Sequence, residues 1–420
     1  MKAQRLVLFF LACVAFFYSC SNGNSSNVDV ILFQPKYAKG FRVVKVGSDT
    51  LIQFLSHSDS PTVSHSVSDS PTVSHSVSLS EIHPERIALL STTHTYFIDA
   101  LDGMKNVCGV SCADRIQLGK LQEQISNGTT QNLTKNGDVN LEDLLMLNPT
   151  VLFSVPFEPT DYRSKLPSCV VIPTSEYLEE HPLGKAEWMC VFGYVLRKDV
   201  LARELFLEIE KEYLDSTKDV SQDSTKDSAK DSTKDSTKDS TKDVAQDSAK
   251  DSAKDVSQDS TKDVSQDSTK DVSQDSTKDA SQGRRRKVFF ATNNGSDWTV
   301  ANNQSYWAIL LRDAGAEYVG ATEGKGNLNF DKERMLFALN EADAYGELVY
   351  FPNTSNVSLS KLHPEFIQTV PFQHKNIFIC NAADNGFFDK ALLEPHVLLQ
   401  ELKQVLADST FSGYYFQHTK

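Results

Sequence analysis

The sequence lacks the short motifs that mark many hydrolases, nucleotide-binding enzymes and zinc proteins. It has no GxSxG segment, and the glycines of GATEGKGN at 320–327 do not have the spacing of a phosphate-binding loop. It has neither an HExxH motif nor a pair of CxxC motifs, so no zinc site is indicated. We therefore expect a protein that is not an enzyme and that holds no metal or cofactor of its own.

Basic charge is also scarce. The chain carries 42 Lys and Arg against 56 Asp and Glu, a formal net charge of −14, whereas a nucleic-acid-binding protein needs a basic face. The basic run at 284–287 lies between a repetitive tract and a predicted strand, and we interpret it as a solvated boundary. No nucleic-acid partner is expected.

The apolar run at 6–18 is too short for a comfortable membrane span. Lys2 and Arg5 precede it and Ser19 follows it, the pattern of a secretory signal. The tetrapeptide FYSC at 17–20 resembles a bacterial lipobox, which would leave Cys20 as a lipidated N-terminus. A plain secreted protein and an uncleaved anchor are the alternatives. We predict a signal at 1–20 and a polar tether at 21–36.

Disulfide bonds cannot pair all the cysteines of the mature chain, because five follow Cys20 and five is an odd number. Cys108 and Cys112 lie in VCGVSC, which predicts a buried strand that enters a loop. Small apolar core residues are favoured there over a metal site.

Two low-complexity insertions interrupt the sequence. SDSPTVSHSV occurs twice in tandem at 58–77, and a four-residue period with Asp in first place fills 215–282. The tract at 215–282 has only Val and Ala as apolar side chains, so it cannot bury enough surface to offset its ordering entropy. We predict that both insertions lack fixed structure, with at most weak helix in the longer one.

Strands alternate with helices in the rest of the chain. After a hairpin at 41–54, the first half predicts strands at 87–91, 107–110, 151–155 and 169–173 and helices at 94–101 and 140–147. The second half predicts strands at 288–292, 317–319, 348–351 and 377–380 and helices at 305–314, 331–342 and 395–406. This α/β pattern implies parallel sheets covered on both faces, with ligands at the carboxyl ends of the strands.

A long amphipathic helix is predicted between the two halves, at 176–214. Its apolar stripe has helical spacing, and charged residues occupy the opposite face. The stripe consists of Ala202, Leu205, Phe206, Ile209 and Tyr213. An ordinary surface helix is the alternative.

Five segments, in this order, resemble the substrate-binding lipoproteins of iron-complex and cobalamin ABC importers. They are RIALLSTTHTYFIDALDGMKNVCGVS, GDVNLEDLLMLNPTVLFS, PLGKAEWMCVFGYVLRKDVLARELF, SYWAILLRDAGAEYV and LLEPHVLLQELKQVL. The likeness covers nearly all of the chain from Tyr37 to Gln417 outside the insertions. PLGKAEW and SYWAILLRDAG are most similar to the Bacteroidetes iron-compound binding proteins.

The resemblance implies two Rossmann-like lobes, at 37–184 and 283–420, bridged by one long helix at 185–214. This is the helical-backbone periplasmic binding protein fold, which clasps its ligand between the lobes. The implied protein is a lipid-anchored periplasmic monomer that delivers a small-molecule iron complex to an ABC permease in the inner membrane. The alternative from another class is a surface adhesion lipoprotein that uses the repeats as a stalk.

Two carboxylates match the positions at which this family docks onto arginines of the permease. They are Glu142 in GDVNLEDLL and Glu333 in NLNFDKERML. Each lies near the start of a predicted helix, where a carboxylate also serves as a cap, so helix capping is the alternative role for both.

The resemblance also implies which residues line the cleft. They are Ser91, Thr92, Thr93, His94, Arg115, Lys135, Asn136, Trp298, Tyr306, Asn385 and Phe387. Trp298 is expected as an aromatic platform, with a core Trp as the alternative, and His94 could instead be bonded locally at its helix start. Arg115, Lys135 and Lys325 are expected partners for an anionic ferric siderophore.

The sequence departs from the cobalamin-binding subgroup at two places. That subgroup carries Trp where this chain has Lys135-Asn136 and 324–327, which favours an iron chelate over cobalamin. Cobalamin stays open as an alternative cargo, as does haem, through His94 or Tyr306.

Overall fold

A computed structural model describes residues 29–56, 72–156, 160–228, 284–320, 322–352 and 357–419. The predicted signal and Cys20, most of the first insertion and the tract from 229 to 283 lie outside the described residues. The chain divides into two units, Met1–Val220 with Arg285–Lys420 and Ser221–Arg284, and the fold below is that of the first unit.

An antiparallel four-stranded sheet precedes the first α/β lobe. Its strands pair in sequence order: β1 (Val30–Phe33), β2 (Phe41–Val46), β3 (Asp49–Leu55) and β4 (Val73–Ser78). The predicted hairpin joins β2 to β3 at Gly47, whose φ of 62° suits a tight turn. β4 lies in the second repeat copy, so the prediction of no structure is wrong there: His75 stacks on Phe54 and Val77 is buried.

The first lobe is built on a parallel sheet with the strand order β11-β10-β5-β6-β7. In chain order its elements are β5 (Ile87–Leu89), α1 (Thr92–Ala100), β6 (Val107–Val110), α2 (Gly119–Ser126), β7 (Gln131–Asn132), the ribbon β8 (Thr134–Lys135) and β9 (Asp138–Val139), α3 (Leu141–Leu147), β10 (Val151–Ser154), α4 (Tyr162–Lys165) and β11 (Val170–Pro173). β5, β6 and β10 are buried along their whole length, as expected of strands covered on both faces.

Three helices connect the two lobes, α5 (Pro182–Glu187), α6 (Met189–Val195) and α7 (Asp199–Ser228). The prediction of one continuous helix over 176–214 is therefore wrong. The chain bends at Trp188 and again at Arg197, which has a positive φ of 59°. Pro182 starts α5 because proline suits the first turn of a helix and not its interior.

The apolar stripe of α7 contacts both lobes. Ala202 belongs to the hydrophobic core of the first lobe, and Phe206 and Tyr213 belong to that of the second. The Tyr213 hydroxyl donates a hydrogen bond of 2.6 Å to Asp313. The helix continues past Leu214 into the repetitive tract as far as Ser228.

The second lobe has a mixed sheet, in the order β15-β13-β12-β16-β17-β18 with β14 also paired to β12. In chain order its elements are β12 (Lys287–Asn293), β13 (Trp298–Ala301), α8 (Tyr306–Asp313), β14 (Glu317–Tyr318), β15 (Asn327–Phe330), α9 (Lys332–Asn340), β16 (Ala344–Val349), α10 (Leu359–Leu362), α11 (Val370–Gln373), β17 (Ile377–Asn381), α12 (Pro395–Ala407) and β18 (Gln417–His418). β12, β14, β16 and β17 pair in parallel. β13, β15 and β18 join the sheet through antiparallel pairs, with β12, β13 and β17 respectively.

Cys108 is buried in β6, as predicted, whereas Cys112 is half-buried in the loop that follows. The five cysteines of the described residues carry free thiols. None of the described helices has both the length and the apolar character needed to cross a membrane.

Candidate functional site

A cavity of about 1240 Å³ lies between the two α/β lobes. Its first-lobe wall is Ser91, Thr92, Thr93 and Val155, and the connecting segment adds Glu176, Tyr177, Leu178, Glu179, Glu180 and Lys185. Its second-lobe wall is Thr292, Thr299, Ala301, Gln304, Ser305, Tyr306, Trp307, 324–327, Leu348, Phe387, Phe388 and Leu392. Several of these residues end or follow parallel strands, the expected place for a ligand in α/β lobes.

Five of the residues predicted to line the cleft lie on the cavity wall. Ser91, Thr92 and Thr93 join β5 to α1, Tyr306 starts α8, and Phe387 lies in the loop after β17. Lys325, the expected partner of an anionic ligand, also lines the cavity. The binding role of these residues stays a prediction.

An aromatic group forms the second-lobe side of the cavity. The rings of Trp307 and Phe387 are stacked with centroids 5.2 Å apart and an interplanar angle of 8°. Tyr306 meets Trp307 edge-on, and Phe388, which is 51% exposed, meets Phe387 edge-on. Such faces suit a flat or aromatic ligand. Sequence reasoning missed Trp307, although it lies beside Tyr306 in the SYWAILLRDAG segment.

Lys185 places a cation on the cavity wall. Its Nζ donates hydrogen bonds to the backbone carbonyls of Tyr177, at 2.7 Å, and Glu176, at 3.3 Å, and lies 5.2 Å from the centroid of the Tyr306 ring. Burial lowers the pKa of Lys185 to about 8, although the neighbouring carboxylates partly oppose this shift. Lys185 belongs to the PLGKAEW motif but was not predicted as a site residue.

A second basic group of the cavity is held by a carboxylate. Lys325 lies 3.2 Å from Glu180, which also pairs with Lys39 at 2.7 Å. Burial alone would raise the pKa of Glu180, but the hydrogen bonds and charges of the two lysines outweigh burial and lower it. This pairing connects the loop before β15 to the connecting segment.

His94 lies behind the cavity wall and does not line it. Its side chain is fully buried, with Nε2 2.7 Å from the Thr174 hydroxyl and 3.8 Å from Glu176. Burial lowers the pKa of His94 to about 4, and the charge of Glu176 opposes this only in part. Thr93, its neighbour on the wall, donates a hydrogen bond of 2.8 Å to Glu176. The expectation that His94 faces the ligand is corrected: it is a core residue, and its hydrogen-bond partner Thr174 is distant in the sequence, so the alternative of a local bond at the helix start is not found either.

Trp298 and Asn385 are also behind the wall. Trp298 is buried on β13, with its ring centroid 5.3 Å from His363 and 5.4 Å from Phe366. The alternative of a core tryptophan is the one found. The amide of Asn385 donates to the Tyr415 carbonyl, and its Oδ1 accepts the Phe387 N–H, so Asn385 positions the loop that carries Phe387.

Arg115, Lys135 and Asn136 lie outside the cavity. Lys135 forms an ion pair of 2.6 Å with Asp143, which supplies its countercharge. Asn136 has a φ of 54° in the turn between β8 and β9, a conformation that asparagine tolerates well. Arg115 ends a short 3-10 turn and is exposed. The structure does not bring these three residues to the other predicted site residues.

Glu142 and Glu333 are exposed in the first turns of α3 and α9. Other residues cap these helices: Asn140 accepts from the N–H of Glu142, and Asp331 accepts from that of Arg334. The capping alternative therefore has no need of either glutamate. Their docking role stays a prediction.

Metal-ligand chemistry is sparse in the part of the chain that the structure describes. No cluster of three or more His, Cys, Asp or Glu side chains there could hold a metal ion.

No protein-family model matches the chain. A curated relative, an uncharacterized lipoprotein of Methanocaldococcus jannaschii, is 24% identical over 140 residues, which are 31% of this chain. The chain spans about a third, 33%, of the length of that relative.

Solved structures are similar over most of the chain. A periplasmic binding protein from Veillonella parvula has a TM-score of 0.53 at 12% identity, covering 82% of this chain and 98% of that one. The chain has a periplasmic binding protein fold. A periplasmic heme binding protein from Pseudomonas aeruginosa gives 0.51 at 13% identity, with 80% and 99% covered. The siderophore binding protein BauB, bound to acinetobactin and ferric iron, gives 0.50 at 14%, with 79% and 95% covered. These likenesses confirm the predicted α/β class.

Proposed function

We propose that this protein is the substrate-binding component of an ABC importer and captures a ferric siderophore or a related iron complex. The observation that carries the proposal is the cavity of about 1240 Å³ between two α/β lobes, lined by strand ends, hydroxyls and an aromatic group. A cavity of this volume can hold a ligand at the large end of the small-molecule range. Solved proteins with this fold include binders of iron chelates and of haem.

The side chains of the cavity favour a chelate with aromatic or flat groups. Trp307 and Phe387 offer stacked aromatic surface, and Phe388 adds an exposed ring. Lys185 and Lys325 add two ammonium groups to a lining that also holds Glu176, Glu179 and Glu180, and Lys325 is paired with Glu180. Cations beside aromatic rings suit catecholate or carboxylate groups around ferric iron.

Haem is the second candidate within the same class, but its coordination has less support. Among the described residues that line the cavity none is a histidine, and His94 is enclosed in the core. Burial raises the pKa of Tyr306 well above its ordinary value, so forming a tyrosinate ligand there would be costly.

Equilibrium binding by the mature chain tests the proposal. The chain from residue 21 onward is dialysed against ferric siderophores of catecholate, hydroxamate and carboxylate type, against haemin and against cyanocobalamin. Saturable binding of one ferric siderophore at micromolar or lower concentration is expected. If only haemin or only cyanocobalamin binds, that molecule becomes the proposed cargo. If none of these ligands binds, the proposal is overturned.

We further propose that the protein is a Bacteroidetes-type lipoprotein, anchored through Cys20 and acting in the periplasm as a monomer. The lipobox-like FYSC segment and the curated lipoprotein relative support the anchor. Replacing Cys20 with Ser should release the protein from membranes and leave its ligand affinity unchanged. Membrane retention of the Cys20→Ser protein would contradict the anchor.

The docking roles of Glu142 and Glu333 belong to the same proposal. Among the described residues neither carboxylate has a side-chain hydrogen bond or an ion pair, and both are exposed. Reversing both charges to Lys should abolish uptake while ligand affinity is kept. Loss of affinity in that double variant would overturn the assignment.

A further inference from the structure

One carboxylate on the cavity wall has an oxygen without a hydrogen-bond partner. Glu176 lines the cavity and is only 1% exposed. Its Oε1 accepts a hydrogen bond of 2.8 Å from the Thr93 hydroxyl, whereas its Oε2 is buried and has no partner among the described residues. A buried carboxylate oxygen without a hydrogen bond costs free energy, so this arrangement calls for an explanation.

The other two carboxylates that line the cavity are fully used by the protein. Glu179 accepts two backbone N–H groups, at 39 and 40, and the indole N–H of Trp188. Glu180 pairs with two lysines, at 2.7 Å and 3.2 Å. Among the described residues of the wall, Glu176 is therefore the carboxylate that is left with an unpaired oxygen.

The charge of Glu176 is also not paired. No Lys or Arg nitrogen of the described residues lies within 4 Å of its carboxylate, and His94, at 3.8 Å, is neutral at pH 7 because burial lowers its pKa to about 4. Lys185 donates to the backbone carbonyl of Glu176, and its charge also acts on Glu179 and Glu180. The N-terminus of α1 adds about half an elementary charge to the same wall, less than the full charge of a carboxylate.

A partner for Glu176 can approach from the cavity. Glu176 begins the short 3-10 turn Glu176–Leu178, and all three residues of this turn line the cavity. Since no described protein group supplies the missing hydrogen bond, a bound ligand is the source that the geometry leaves.

We propose that Glu176 is a specificity-determining residue and that its Oε2 binds a protonated amine of the ligand. A positively charged nitrogen with N–H donors satisfies both the unpaired oxygen and the unpaired charge. The inference rests on the proposed function and narrows it. The cargo is then a ferric chelate that carries a protonated amine in addition to the groups that hold the iron.

The same carboxylate acts against an anionic group at this part of the wall. Two like charges repel strongly in a site that excludes water, so Glu176 selects by repulsion as well as by attraction. Lys325 is paired with Glu180, which leaves Lys185 for an anionic group of the chelate. The flat groups of the chelate are expected at Trp307 and Phe387, and its amine at Glu176.

A series of three ferric chelates with one common core tests the inference. Ferrioxamine B is a linear ferric trihydroxamate that ends in a protonated amine. Its N-acetyl derivative ends in a neutral amide, and its N-succinyl derivative ends in a carboxylate. Equilibrium dialysis of the mature chain should give the lowest Kd for the amine and the highest for the carboxylate, with about a tenfold difference or more between these two.

The Glu176→Gln variant removes the charge and keeps the shape of the side chain. Its Kd for the N-succinyl derivative should fall, and the difference between the amine and the carboxylate should shrink to about threefold or less. A gain of affinity for one ligand cannot result from misfolding, so the test does not depend on unchanged stability. Glu204→Gln, exposed on α7, is the matched control and should keep the wild-type difference.

The outcomes separate the inference from the proposed function. If wild type binds ferric siderophores but binds the three trihydroxamates equally or not at all, the inference is overturned and the proposed function stands. An unchanged difference between amine and carboxylate in Glu176→Gln also overturns the inference alone. If wild type binds no ferric siderophore, the proposed function is overturned, and the inference with it.

Discussion

Two buried glutamates hold the segment that leads into the first sheet. The carboxylate of Glu187 accepts the backbone N–H groups of Lys36, Tyr37 and Ala38, each at 2.8 Å. Glu179 accepts the next two N–H groups, at 39 and 40, and the indole N–H of Trp188. Part of the PLGKAEW motif is thereby explained: its Glu and Trp fix the chain ahead of β2, and its Lys reaches the cavity.

Replacing Glu187 with Ala should destabilise the protein by about 2–4 kcal/mol, because three N–H groups, among them that of the buried Ala38, lose a charged acceptor. Urea denaturation followed by circular dichroism measures this loss. Glu204→Ala is the matched control, since Glu204 is exposed on α7. If the Glu187→Ala and Glu204→Ala variants are equally stable, the hydrogen bonds of Glu187 contribute nothing to the free energy of unfolding.

The buried His94 predicts a pH dependence of stability. Its folded-state pKa of about 4 lies below the ordinary 6.5, so the unfolded chain binds a proton more readily between these values. Its contribution to stability is complete above pH 6.5 and is lost as the pH falls toward 4, by about 3 kcal/mol. Compared with His94→Gln, wild type should lose about this much more stability between pH 7.5 and pH 4.5 in urea titrations. If the stabilities of wild type and His94→Gln change with pH in the same way, this prediction is contradicted.

Lys185 predicts a pH dependence of binding. Its pKa of about 8 means that it is charged at pH 7 and mostly neutral at pH 9.5. An anionic siderophore should therefore bind roughly tenfold more weakly at pH 9.5, the factor that about 1.4 kcal/mol represents. The Lys185→Met variant, titrated with the same ligand, should show a flatter profile. Equal slopes for the two proteins would exclude Lys185 as the ionising contact.

At the scale of elements, α6 and α7 approach each other closely around Gly193. A Cβ built on Gly193 would lie 2.4 Å from the Cβ of Ala202 and 3.1 Å from the Lys198 carbonyl oxygen. This contact holds the bend at Arg197, which precedes the start of α7 at Asp199. Glycine is thus required at 193 by close approach and not by a positive φ.

Gly193→Ala should destabilise the protein by about 1–3 kcal/mol, because the added methyl group overpacks the contact between α6 and α7. Gly119→Ala at the start of α2 is the matched control, since a Cβ there meets no atom within 4 Å. That control should stay within about 0.5 kcal/mol of wild type. Thermal and urea unfolding compare the pair, and a tolerated Gly193→Ala would refute the tight contact.

Local pattern predicted the buried strands well, since β6 at Val107–Val110 was expected with the same bounds. Local pattern failed for the elements whose form and position depend on contacts with distant parts of the chain. The apolar stripe of α7 starts at Ala202, whereas Pro182, Gly184 and Gly193 in the preceding stretch disfavour continuous helix. β13 and β15 are short and their pairing is long-range, so the sequence could not show that Trp298 turns into the core.

The same limit applies to the site. Thr93, which follows strand β5, and Tyr306, which starts α8, lie on the cavity wall, and the family resemblance had implied both. Trp307 and Lys185 were missed. Lys185 belongs to the connecting segment, and the sequence could not show that its Nζ lies 5.2 Å from the centroid of the Tyr306 ring of the second lobe. Lys135 was misplaced because its partner, Asp143, is eight positions away on α3.

At the scale of the whole molecule, the repetitive tract is expected to be separable from ligand capture. Tyr213 and Ser216 on α7 bond to second-lobe residues, Asp313 and Gln400, so a deletion must begin beyond them. Replacing residues 229–282 with a short Gly/Ser linker should leave ligand affinity and uptake unchanged. Loss of uptake together with loss of surface attachment would favour the adhesion alternative, in which the repeats act as a stalk.

Tryptophan fluorescence tests the central claim, that a small molecule binds in the cavity between the lobes. Trp307 lines that cavity, whereas Trp298 lies behind it in the second-lobe core. Titrating a ferric siderophore into wild type should quench emission saturably, after correction for ligand absorbance. Trp307→Phe should lose most of the quench, and Trp298→Phe should keep it. A full quench in Trp307→Phe, or no saturable quench in wild type, would contradict the account.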